Sequence, residues 1–240
     1  MAPSPHHTLL LQLAGEGGSI SLYRTQRQNS TTYKVTTGEE YLEDERYSSE
    51  KDFNTLEEAI HHLCNHYPVG YLHPLTISPE LILPMAQAIK QKRQSRNEAH
   101  TATEETNDQD QIDQLNQIEP ADWNQLSSLL QDLENAVNEL NDNNRKYENP
   151  LIQRILSRIM DQVYNMKIVH NFRWQDWEEG RWLASFPDFD FSLLSPLELS
   201  KLTTAIARKD RFDPYYWTDS FADGMMQKIL AALISKFQTL

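Results

Sequence analysis

The chain has one cysteine, Cys64, among 240 residues. An intrachain disulfide is therefore excluded, and a reducing compartment fits. Long apolar runs are missing too: none approaches the ~20 residues that a membrane-spanning helix needs. The N-terminus, MAPSPHHTLLLQLAGE, lacks a basic n-region, and its apolar run is short and interrupted, so no signal peptide is read there. Cations are few, with 22 Lys and Arg against 35 Asp and Glu and a net charge of −13. That deficit argues against nucleic acid as a general partner, because phosphate contacts need cations that displace counterions. It favours a soluble, cytoplasmic protein with a basic protein partner and no membrane attachment. Catalytic signatures are also missing. There is no Gly-x-Ser-x-Gly elbow, and the run Gly15-Glu16-Gly17-Gly18 neither carries the Lys-Ser/Thr pair of a phosphate loop nor opens a helix. No cofactor is expected.

The negative charge is unevenly placed. Residues 1–92 hold 7 basic and 11 acidic residues, 93–149 hold 4 and 13, and 150–240 hold 11 and 11. The excess therefore lies entirely outside the last third. Residues 1–92 predict a small α+β module. TLLLQLA (8–14) and SISLYRT (19–25) predict two strands, joined by glycines that supply the positive φ of a tight hairpin; TTYKVT (31–36) predicts a third. Thr55-x-x-Glu58 is a capping-box pattern that starts a helix bearing Ala59, Ile60 and Leu63, with Phe53 as a staple. Residues 70–77 predict another strand. Ser78-Pro79 opens a helix toward Arg93, in which Pro84 implies a kink or a delayed start. Residues 93–120 are polar, acidic and amide-rich, and predict a flexible linker.

Residues 121–240 predict a mostly helical domain with four principal helices. Trp123, Leu126, Leu130, Leu133, Val137 and Leu140 recur at steps of three and four, a heptad seam beginning at the cap Asp122. The seam either packs on the following helix or pairs with a second copy through 122–141, and its length, under three heptads, favours the first. Asn149-Pro150 opens the next helix, with Ile152, Ile155, Leu156, Ile159, Met160 and Val163 on one face. An aromatic stretch follows. Ser195-Pro196-Leu197-Glu198 is a second capping box, ahead of Leu199, Leu202 and Ile206. A last helix is expected from Ser220, with Phe221, Met225, Ile229, Leu233 and Phe237 every four residues.

Within this domain the segment LSKLTTAIARKDRF, then Gly224 twelve residues on, then KILAAL, resembles an uncharacterised bacterial family, the domain of unknown function numbered 6508. The matching residues are Lys201, Leu202, Thr203, Arg208, Asp210, Arg211, Phe212, Gly224, Ile229 and Leu230, with Trp174, Trp177 and Gly180 upstream. The resemblance covers about 150–240 and implies a fold unit and a bacterial origin, without a mechanism. In the family pattern an acid and a glycine follow the Arg-Phe pair; this chain has Asp213-Pro214-Tyr215-Tyr216. The N-terminal part, with GEGGSISLYR and HYPVGYLHPLTISPE, is similar to small uncharacterised bacterial α+β modules.

Three groups of residues carry candidate chemistry. His62 and His66, one helical turn apart, can share a metal, with His73 or Glu57 as a borrowed third ligand. The alternative is packing, which the missing neighbouring Glu favours. Asp188 and Asp190, with Asp210 and Asp213 downstream, can hold Mg²⁺; the flanking phenylalanines favour a solvated loop. The third is ARKDRFDPYYWTDSFADGMM (207–226), with three cations, four acids and five aromatic rings. Its Arg208, Asp210, Arg211, Phe212, Tyr216, Trp217 and Gly224 form either a structural junction or a partner-binding surface. In the junction reading, Arg208 and Arg211 pair with acids and stack on Tyr216 or Trp217, and Gly224, inside a helix, admits a close neighbour. The leading expectation is a non-enzymatic interaction protein: an adaptor, a regulator or an immunity-type binder. The alternatives are a metal-dependent enzyme of nucleic-acid or nucleotide metabolism using Asp188 and Asp190, and a nucleic-acid-binding accessory protein.

Overall fold

A computed structural model describes residues 6–15, 18–27, 30–37, 50–67, 69, 73–96, 101–140 and 146–238. Contacts divide the chain into two units, one of residues 1–98 with 181–185 and one of 99–180 with 186–240.

The fold is α+β: an N-terminal antiparallel sheet followed by a mostly helical region. In the first unit, β1 (His6–Gly15) pairs with β2 (Gly18–Arg27), setting Leu11 beside Leu22 and Leu13 beside Ile20. The tip of that hairpin, Glu16-Gly17, lies outside the described residues, as does the 70–72 portion of the strand expected from 70 to 77. β3 (Ser30–Thr37) continues the row by placing Val35 beside Leu22. A fourth strand, β4 (Glu50–Phe53), was not legible, because Glu50-Lys51-Asp52 has no apolar alternation. It forms one edge of the sheet, where charge is an asset against edge-to-edge pairing; Glu50 binds Lys34 at 2.9 Å on β3. β5 (His73–Ile77) pairs with β1 and completes the order β4-β3-β2-β1-β5.

The capping box at Thr55 and Glu58 starts α1 (Leu56–His66): Glu58 N–H donates to Thr55 Oγ1 at 3.2 Å and Thr55 N–H to Glu58 Oε2 at 3.3 Å. Ser78-Pro79 begins a single 3₁₀ turn, and α2 (Ile82–Arg96) starts after it, so Pro84 falls in the first helical turn, where its missing N–H costs little. Leu11, Leu13, Ile20, Leu22 and Val35 of the sheet are buried, as are Leu63 of α1 and Leu81, Met85 and Ile89 at α2. Trp182 counts with this unit; its indole N–H donates to Ile82 O at 3.0 Å.

The second unit begins with α3 (Thr101–Asn116), which corrects the expectation of a flexible linker over 93–120. Its sequence is polar, yet Gln111 and Leu115 are buried, and Asp108 pairs with Lys201. A few well-placed contacts on one side order this helix without an apolar face. α4 (Pro120–Glu139) starts at the cap Glu119 with Pro120 first, rather than at Asp122. Its buried stripe is Trp123, Leu126, Leu129, Leu133 and Ala136. Leu130, Val137 and Leu140 are half-buried, so the stripe is the broad face of a helix with two neighbours rather than a narrow two-helix seam. Those neighbours are α5 (Pro150–Asn165) and α9 (Met225–Gln238), and Trp123 stacks on Phe237 at 4.8 Å and 5°. Asn149 caps α5 by accepting from Leu151 N–H at 2.9 Å.

After the short α6 (Glu178–Leu183), the Ser195 and Glu198 capping box opens α7 (Pro196–Lys209), with Ser195 N–H donating to Glu198 Oε2 at 2.9 Å. The single C-terminal helix expected from Ser220 is in fact two, α8 (Tyr216–Ala222) and α9. Gly224, at φ +81°, separates them, and Asp223 Oδ1 accepts from Met225 N–H at 2.9 Å. A Cβ on Gly224 would meet nothing within 4 Å, so this glycine makes a turn and does not admit a close neighbour. The close-approach glycine is Gly180, where a Cβ would fall inside the Trp177 ring.

Candidate functional site

The turn between α7 and α8 gathers most of the residues singled out in the sequence. Arg208 and Lys209 end α7, where cations complement the negative end of the helix dipole. The backbone then tightens: Phe212 and Asp213 N–H both donate to Lys209 O at 2.9 Å, and Tyr216 N–H to Asp213 O at 3.1 Å. Asp210 accepts from Trp217 N–H at 2.9 Å through Oδ1, supplying the acceptor that Tyr215, the residue at the cap position, does not. Trp217 is buried, with its indole N–H directed at Leu156 O (3.4 Å) and its ring against Phe221. Lys209 Nζ sits 3.7 Å above the Tyr216 ring. Burial, then the Asp223 and Asp213 carboxylates, push the Tyr216 phenol above its usual pKa.

The other residues of the turn face solvent. Phe212 and Tyr215 are 74% and 71% exposed. Tyr215 has φ +79°, a left-handed conformation that side chains other than glycine adopt at a cost. The reversal that a glycine makes easily is thus made by a tyrosine. Phe212 lies 6.2 Å from Trp174. Arg208 donates to Asn171 Oδ1 at 3.4 Å and Arg211 to Tyr164 OH at 3.3 Å. This corrects the expected pairing: among the described residues neither arginine pairs with a carboxylate, and Lys209 is the cation on Tyr216.

The remaining candidates are dispersed. His62 and His66 are 4.3 Å apart by ring centroid, but His62 also packs on Phe53 at 5.0 Å and on the edge of Tyr67. Burial first, then His66 and Lys51, lower the pKa of His62 to about 4. Glu57 faces His61 at 3.9 Å. Asp188 binds Lys228 at 3.0 Å. Asp190 accepts from both the backbone N–H and the hydroxyl of Ser192, which hold its carboxyl below the usual range. Among the described residues no three His, Cys, Asp or Glu side chains converge as a metal group would. No helix among them is long and apolar enough to cross a membrane.

A polar cluster went unread in the sequence. Ser200 and Thr204, both fully buried on α7, donate to Ile168 O at 2.7 and 3.3 Å and flank His170 Nδ1. Gln111 of α3 donates to Ser200 Oγ and to Lys167 O, both at 3.1 Å. Burial lowers the His170 pKa, against the opposing effect of Ile168 O. With its hydroxyls shut away from solvent, the cluster fastens α3 to α7 rather than offering a nucleophile. Its faint signal was the spacing Asp108, Gln111, Ile112 and Leu115, one face of a helix in a text of amides and acids.

No curated protein and no solved structure matches the chain. The N-terminal resemblance is therefore not shown. The C-terminal one is shown and extends further upstream than 150, to take in α4: a family model matches residues 118–239, half of the chain, and the protein belongs to that family of unknown function, DUF6508.

Proposed function

We propose that the protein is a non-enzymatic interaction module, an adaptor or regulator, which engages a protein partner through the turn between α7 and α8. The observation that carries this reading is the joint exposure of Phe212 and Tyr215 on a turn whose other half is anchored by Asp210 and Trp217. Aromatic and arginine side chains on a rigid base are the composition from which binding hot spots are built. Strain supports it as well, since a left-handed tyrosine persists only where the surroundings impose it, and such outliers concentrate at ligand clamps. The single buried Cys64 supports work in a reducing, cytoplasmic setting.

The test places a photo-crosslinking phenylalanine analogue at position 212 in host cells, with Leu193, 61% exposed, as the control position. A defined protein adduct at 212, absent at 193 and competed by excess unlabelled wild-type protein but not by its Phe212→Ala/Tyr215→Ala variant, is expected. Equal labelling at both positions, or none at 212, would overturn the reading.

A further inference from the structure

We infer that the segment received by this turn is acidic, with its carboxylates on Arg208 and Arg211 and an apolar side chain against Phe212 and Trp174. The inference rests on the interaction reading above and names the partner's chemistry. The whole-chain deficit of cations favours a basic partner, and residues 207–226 themselves hold three cations against four acids, but among the described residues the two arginines of the turn meet no carboxylate. Arg208 and Arg211 each direct an N–H at a neutral acceptor, the Asn171 amide oxygen and the Tyr164 hydroxyl. Those contacts orient the guanidinium groups without neutralising them.

Among the described residues the nearby acids form no ion pair with either arginine. Asp210 is held by Trp217 N–H, and Asp176 faces Arg173 at 3.9 Å. A guanidinium held in place with donors to spare matches a carboxylate with two parallel hydrogen bonds, and less of its freedom is lost on binding than for a lysine. Phe212 and Trp174, with ring centroids 6.2 Å apart, add an apolar surface beside the charges. A nucleic acid is the poorer match, because its affinity grows with the number of phosphates neutralised and two free arginines provide few.

The experiment measures fluorescence anisotropy at physiological salt with four labelled probes: the peptide Glu-Trp-Glu-Glu-Leu-Glu, its form with Gln for every Glu, its form with Lys for every Glu, and a twenty-residue oligothymidylate. The acidic peptide is expected to bind best. Arg208→Gln and Arg211→Gln should each weaken it about tenfold, the size of a lost hydrogen bond to a charged group. The Gln peptide provides the same contrast without altering the protein, should a variant fold poorly. Equal binding of the Gln and Glu peptides, tighter binding of the Lys peptide or the oligonucleotide, or no response to either arginine variant would overturn the inference. A specific crosslink from position 212 alongside any of these results would leave the interaction reading standing; its loss as well would end both.

Discussion

Asp210 and Asp213 lie three residues apart in one turn, as do Phe212 and Tyr215, yet the turn uses its residues in two opposite ways. On one side Asp210, Tyr216 and Trp217 are tied down: a carboxylate on a backbone N–H, a ring under an ammonium, an indole in the core. On the other, Arg211, Phe212 and Tyr215 stand in solvent. In the interaction reading proposed above, the junction and the surface, opposed as alternatives in the sequence, would be two faces of the same turn. A rigid side is what permits the other to present aromatic rings at little conformational cost on binding.

The anchored side should give the largest effects when broken. Trp217→Ala removes a buried aromatic against Phe221 and should cost ~3–5 kcal/mol, read as a lower midpoint in urea unfolding. A loss below ~1 kcal/mol would mean that the indole is not anchored as described. Next in size is Asp210→Ala, which leaves Trp217 N–H without its acceptor and should cost ~1 kcal/mol, whereas Asp210→Asn keeps an acceptor and should recover most of it. Equal losses in both would show that charge, not the hydrogen bond, matters.

What the sequence shows and hides follows the same division between local and distant causes. Both capping boxes, the Asn149 cap and the antiparallel hairpins were legible, because cap and turn chemistry acts over three or four residues. The family resemblance was legible from α7, the turn after it, Gly224 and α9, with Trp174, Trp177 and Gly180 upstream. Hidden were β4 and α3, whose order depends on partners far along the chain: Lys34 for Glu50, and Lys201 and Ser200 for Asp108 and Gln111. Gly224 was misread because a glycine between apolar residues at helical spacing looks like part of one helix; its positive φ becomes visible only in three dimensions. The arginines were misread because nearby acids in sequence suggested pairs, while Asp210 was already needed by a backbone N–H.

Tyr215→Gly probes the strain between the two sides. Relief of the left-handed conformation favours the variant by ~1–2 kcal/mol, and the added freedom of glycine in the unfolded chain removes ~0.5–1 of that. The net is a gain of up to ~1.5 kcal/mol in unfolding stability, together with weaker binding of the acidic peptide. A destabilised variant would instead place the Tyr215 ring among the anchors.

The smallest stability effects belong to Arg211→Ala and Phe212→Ala, and they decide the comparison. Arg211 makes one exposed hydrogen bond, to Tyr164 OH, and Phe212 is largely in solvent, so each change should stay within ~0.5 kcal/mol in urea unfolding. Their effect should appear only in binding, where Arg211→Ala weakens the Glu peptide far more than the Gln peptide and Phe212→Ala weakens the two alike. The asymmetry matters because a structural brace has no means of distinguishing the two probes: lost packing would lower both affinities together and the unfolding midpoint with them. Discrimination between Glu and Gln at unchanged stability would instead show that the guanidinium charge acts on the peptide's carboxylates.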